Sequence, residues 1–148
     1  MDFIKVCEEW EHEQLPIIKG ILYSDGRVDK IYIDYDDNDK RVLVHNGSTT
    51  IDAMSIENDD LSDAVIYAKA ASEENGITVY CGGGSYGGDG FVVAETADEK
   101  VLWIAFFEDS NEFERCEIVG STIIAYNNSD EKWLFNIDTP SKLSVEQV

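Results

Sequence analysis

Basic residues are scarce in this chain: eleven Lys and Arg stand against 31 Asp and Glu, a formal net charge of −20. Nucleic-acid phosphates are gripped by Lys and Arg, so a surface this acidic repels nucleic acid. It repels anionic membrane surfaces for the same reason. Long apolar runs are also missing, and nothing approaches the ~20 residues that span a bilayer. Met1 to Trp10 has no basic lead and turns acidic at Glu8 and Glu9, against the pattern of a secretory signal. A cytoplasmic protein is the expectation. Cysteine is limited to Cys7, Cys81 and Cys116, odd in number, far apart and without a CxxC pair. That usage fits free thiols in a reducing compartment and gives no metal-ligand constellation.

Catalytic signatures are equally sparse. His12 and His45 are the only histidines, and neither belongs to a nucleophile–base motif. There is no GxSxG elbow, HExxH zinc motif or P-loop. The expectation is a protein that is not an enzyme and takes no metal or cofactor. Paired carboxylates could serve glycoside hydrolysis, but among 31 acids any spacing arises by chance.

What the chain does have is enough apolar material for one core. Hydrophobic residues make up 43% of its 148 residues, which takes it out of the disordered class despite the charge. A single domain over 1–148 is expected. Hairpin punctuation organises it. Ile17 to Ser24 and Arg27 to Tyr35 flank Asp25-Gly26. Arg41 to His45 and Ser48 to Ala53 flank Asn46-Gly47. Both dipeptides favour the type I′ turn, whose twist matches paired strands. Asp34 to Lys40 reads as a charged turn. Ile77 to Cys81, Phe91 to Glu95, Val101 to Phe107, Cys116 to Val119, Thr122 to Tyr126 and Lys132 to Ile137 read as further strands. Val101 to Phe107 is apolar throughout, the pattern of a central strand covered on both faces.

One main helix is expected over about 58–74. Asn58, Asp59 and Asp60 offer caps, Leu61, Ala64, Val65, Ala68 and Ala71 form a stripe, and Asn75-Gly76 ends it. Residues 1–16 read as either a short helix or a strand, with Glu and Gln content favouring helix. Pro140 marks the end of regular structure, leaving 140–148 as a loose tail. The fold class is α+β: a largely antiparallel, curved β-sheet built from hairpins, with the main helix packed on it.

Two strings resemble ligand sites and fail on context. Gly82 to Gly87 matches GxGxxG, but it runs into the strand pattern of Gly90 to Val93 instead of opening the helix that a dinucleotide needs. Asp34, Asp36, Asn38 and Asp39 resemble a calcium loop, yet the sixth and twelfth positions hold Asp39 and His45 where an EF-hand needs Gly and Glu. Both stretches remain candidate binding loops, because loops held by a rigid sheet often carry recognition. The candidate partner-binding residues are Asp36, Asp37 and Asp39 on the charged turn, Tyr86 and Asp89 on the glycine loop, and Glu108, Asp109 and Glu112 after the apolar strand. The partner they suit is a basic protein, drawn in by charge.

The stretch from Gly87-Gly88-Asp89-Gly90-Phe91-Val92, through Leu102 to Glu114, to Lys132-Trp133-Leu134-Phe135-Asn136-Ile137 resembles immunity proteins of bacterial polymorphic-toxin and contact-dependent growth inhibition systems. The resemblance covers roughly residues 87–137 and lies in the rhythm of strands and loops. It is to the class, not to one family, and it carries over no residue roles. It implies a cytosolic protein that binds the C-terminal toxin domain of a cognate effector, such toxins often being basic nucleases. The alternatives are a small-molecule-binding module or carboxylate hydrolase, which needs a concave pocket, and a DNA-mimic inhibitor, which needs carboxylates spaced like duplex phosphates.

Overall fold

The computed structural model describes residues 1–148. In chain order its elements are helix α1 (Phe3–Glu11) and strands β1 (Gln14–Pro16), β2 (Gly20–Tyr23), β3 (Arg27–Tyr35), β4 (Arg41–Thr50), β5 (Leu61–Asp63), β6 (Val65–Ser72), β7 (Ile77–Gly83), β8 (Gly90–Thr96), β9 (Val101–Phe107), β10 (Phe113–Val119), β11 (Thr122–Asn127), β12 (Glu131–Asn136) and β13 (Ser144–Gln147). A seven-stranded sheet has the order β4-β3-β2-β9-β8-β7-β6, a four-stranded sheet the order β10-β11-β12-β13, and β1 pairs with β5. Every pairing is antiparallel. The protein is therefore mostly antiparallel β with one short helix, α+β in the broad sense.

The apolar strand β9 lies at the centre of the large sheet and has no wet face. Its Trp103, Ala105 and Phe107 point into a core shared with Phe113, Ile123, Trp133 and Phe135 of the small sheet. Trp103 stacks on Phe135 at 5.7 Å between centroids, and Phe107 meets Trp133 at 5.2 Å. Ile104 and Phe106 point the other way, into a second core with Val6 and Trp10 of α1, Leu15, Ile18 and Ile51. Each such side chain contributes roughly 1.5–3 kcal/mol on burial, so both faces of β9 hold the layers together.

Helix α1 settles the reading of the first residues. The Asp2 side chain caps it by accepting from the Lys5 N–H at 2.9 Å. Val6 and Trp10, four apart, form its buried stripe. Glu13, at φ 57°, turns the chain into β1.

Most of the expected strands form, and Asp25-Gly26 makes the β2–β3 turn, with Gly26 at φ 88°. Three expectations do not hold. The first is the helix over 58–74. Asn58–Asp60 is one 3-10 turn, and β5 and β6 follow it. The alanines that suited a helical stripe also suit a two-residue alternation. Ala68, Ala70 and Ser72 are half-buried, while Tyr67, Lys69 and Ala71 are exposed. Pairing with β7 decides between the two periods, since tertiary context overrides a weak helix preference. The strands come so close that a Cβ on Gly82 would lie 1.8 Å from the Val65 carbonyl oxygen.

The second is the hairpin at Asn46-Gly47. Strand β4 runs straight through it: His45 faces Ile31 and Ser48 faces Asp29, so Asn46 and Gly47 together oppose Lys30 in a bulge. Gly47 takes φ 77°, a conformation that both a type I′ turn and a bulge use. The third is the loose tail at 140–148. Leu143 is buried, β13 pairs with β12, and Ser141 donates to Asp29 and bonds the Tyr23 hydroxyl.

Candidate functional site

Adjacent strands of an antiparallel sheet put alternate loops at the same end. The β3–β4 turn, the β7–β8 loop, the β9–β10 loop and the β11–β12 turn all gather at one end of the sandwich in this way. Long-range hydrogen bonds tie them. The Tyr35 hydroxyl, at the end of β3, donates to Asp109 at 2.8 Å. Arg41 Nε, at the start of β4, donates to the Asp109 carbonyl at 2.9 Å. The Asn111 N–H donates to the Gly88 carbonyl at 2.9 Å, joining the β9–β10 loop to the glycine loop. Asn127 Nδ2 donates to the Ser110 carbonyl at 2.8 Å and to Glu131 Oε1 at 2.7 Å.

The candidate residues fall into distinct situations. Asp36, Asp37 and Asp39 are exposed on their turn. Asp36 accepts from the N–H groups of Lys40 and Asn38, and these hold its carboxyl below the usual carboxylate range. Asp39 sits at φ 58°. The turn reaches the other loops only through its flanking residues, Tyr35 and Arg41. Glu108 and Asp109 are exposed, Glu108 within 3.4 Å of Lys19 Nζ. Glu112 is half-buried, packs on Gly83 and accepts from the Tyr67 hydroxyl at 3.0 Å. Tyr86 is 71% exposed.

Asp89 differs from the rest. It is buried, and its Oδ2 accepts from the Tyr86 N–H at 3.3 Å. Burial pushes its carboxyl up, the Tyr86 N–H pulls it back, and Glu108 and Glu112 push it up again. It shapes the glycine loop from within and offers no surface to a partner.

The arrangement presents a surplus of negative charge. Of the nearby cations, Lys19 lies against Glu108, the Arg41 guanidinium turns inward to Glu131, and Lys40, at the end of the turn, is exposed. Reading the sequence alone misses Tyr35, Arg41, Tyr67, Asn127 and Glu131, which organise this end. They carry no motif, and their partners lie 45 to 90 residues away except for Asn127 with Ser110 and Glu131. No group of three or more His, Cys, Asp or Glu side chains is placed to hold a metal ion. No helix is long and apolar enough to cross a membrane. Among known proteins, no family model and no curated sequence matches the chain.

Proposed function

We propose that the chain is an acidic binding protein that neutralises a cognate basic toxin domain, of nuclease type, by forming a stoichiometric complex through this loop end. The observation that carries the reading is that exposed carboxylates of the β3–β4 turn and of the β9–β10 loop lie at one end, joined by the Tyr35–Asp109 contact, where Lys19 and Arg41 are held in ion pairs and Lys40 alone offsets the turn. Preformed charge of one sign steers an oppositely charged partner and raises the encounter rate. Loops cross-linked by hydrogen bonds, the Asn127–Ser110 one buried, lose little freedom on binding, which lowers the cost of association. The resemblance in the second half of the sequence supports a toxin as the partner.

The test uses the full chain and the basic C-terminal domain of any large secreted protein encoded beside it. A one-to-one complex is expected, with an association rate that falls steeply as salt rises. Reversing Asp36, Asp37 and Asp39 to Lys is expected to slow association far more than it speeds dissociation. Binding indifferent both to salt and to that reversal would remove the reading.

A further inference from the structure

A groove of about 740 Å³ runs along α1 on the helix-bearing face of the large sheet, and none of the loop-end residues line it. Its apolar lining comes from Phe3, Trp10, Ile66, Tyr80 and Val101. Tyr80 meets the Trp10 ring edge-on at 5.7 Å. Glu8, Glu11, Glu13, Glu95 and Glu99 supply carboxylates, against the single cation Lys100. Lys100 Nζ lies 3.7 Å from Asp98, and Lys5 reaches Glu8.

Glu95 is the informative residue. It is only 8% exposed, and its Oε2 accepts from Trp10 Nε1 at 2.7 Å. No Lys, Arg or His lies within ion-pair distance of it, and no buried side-chain oxygen of the protein is left without a partner, so Oε1 opens on the groove. A carboxylate held this deep without a cation is costly unless something pairs with it. Its field is felt around the groove. Burial first, then Glu95 and Glu99, push the Tyr80 phenol up; burial first, then Glu11 and Glu95, push the Cys7 thiol up.

We propose that this groove seats an arginine-bearing, otherwise apolar segment of a protein partner, with the guanidinium entering beside Trp10 and Tyr80 to reach Glu95. Charge complementarity selects a cation. The aromatic walls select a planar guanidinium, which stacks on rings while donating to a carboxylate, over a strongly hydrated ammonium. The rim selects a peptide segment over a small cation: Ile4 is 71% exposed and Ile66 36%, and only flanking apolar side chains would cover them. The proposal shares with the reading above a basic protein partner, but not the loop end as the place of contact.

The probes are a peptide of alternating arginine and leucine, its lysine counterpart, and agmatine, each titrated into the ¹⁵N-labelled full chain. The indole N–H of Trp10 is the reporter, because Trp103 and Trp133 lie in the other core. The arginine peptide is expected to move the Trp10 indole signal and to bind at least about tenfold more tightly than the lysine peptide or agmatine. Glu95→Gln is expected to weaken it by about tenfold. Ile4→Ser, at an exposed position that leaves the core intact, is expected to weaken the peptide and leave agmatine unchanged. An unmoved Trp10 signal, or agmatine binding as tightly as the peptide, overturns the proposal. Shifts confined to residues 36–39 and 108–112 overturn the groove and leave the loop end standing. A moving Trp10 signal, with association of the toxin domain unaffected by reversal of Asp36, Asp37 and Asp39, supports the groove and removes the loop end.

Discussion

Arg41 Nη1 donates to Glu131 Oε1 at 2.7 Å, and the two side chains are only 9% and 5% exposed. One residue opens β4 of the large sheet and the other opens β12 of the small one, so the pair bridges the layers beneath the acidic loops. The same Arg41 holds the Asp109 carbonyl, and the same Glu131 accepts from Asn127. The loop end is thus fixed from below by a buried polar network.

Breaking such a pair from one side leaves a buried charge without its partner, which costs about 3–5 kcal/mol. Arg41→Ala or Glu131→Ala is expected to lower stability by that order in urea unfolding. Arg41→Met combined with Glu131→Leu is expected to lose less than either single change, because no orphaned charge remains. A double variant that loses as much as either single would mean that the bond itself, not avoidance of an orphan charge, holds the layers.

The thiols give a chemical test of how the sheets meet. Cys81 on β7 faces Cys116 on β10; their mutual interaction, then burial, pushes the Cys81 thiol up, while the same interaction draws Cys116 below the ordinary thiol range against the opposing effect of burial. The thiolate is the nucleophile, so reactivity follows that order. Near about pH 8, iodoacetamide is expected to label Cys116 first, Cys7 more slowly and Cys81 only on unfolding. Cys81→Ala removes the neighbouring thiol and is expected to slow Cys116 labelling several-fold, read by peptide mass mapping over time. Equal rates at Cys7 and Cys116 would contradict the contact.

How much of this is legible before the fold is known depends on whether a feature is local. Val101 to Phe107 declares itself a central strand because no position needs water. Asp25-Gly26 declares a turn because flanking strands and turn chemistry agree. The stretch 58–74 misleads because small alanines satisfy a period of 3.6 as readily as a period of 2, and only the pairing of Ala70 with Val79 and its neighbours chooses. Asn46-Gly47 misleads because a bulge and a turn ask the same of glycine. At the site, the carboxylates are visible in composition, and the loops that bear them are visible as gaps between strands. Their convergence is not, because Tyr35 and Asp109 are 74 residues apart and nothing in either segment names the other. Asp89 shows the converse: in sequence it looks like one more surface acid, and in the fold it is interior.

That interior position has a pH signature. Asp89's carboxyl is pushed up by burial and by Glu108 and Glu112, against the pull of the Tyr86 N–H. Between the unfolded value, about 3.9, and the raised folded value, the native state holds a proton that the unfolded state has released. Its contribution to stability is therefore fully present below the unfolded value and lost as pH rises through the folded one. Asp89→Asn keeps a carbonyl for the Tyr86 N–H and cannot ionise. The variant is expected to gain on the wild type as pH rises from about 4 to about 7, because only the wild type loses the protonated form. Urea midpoints measured across that range read the difference directly. A stability difference that stays flat with pH would show that the Asp89 carboxylate is as well solvated in the fold as outside it. A gap that widens with pH places the buried acid beneath Tyr86, at the base of the glycine loop.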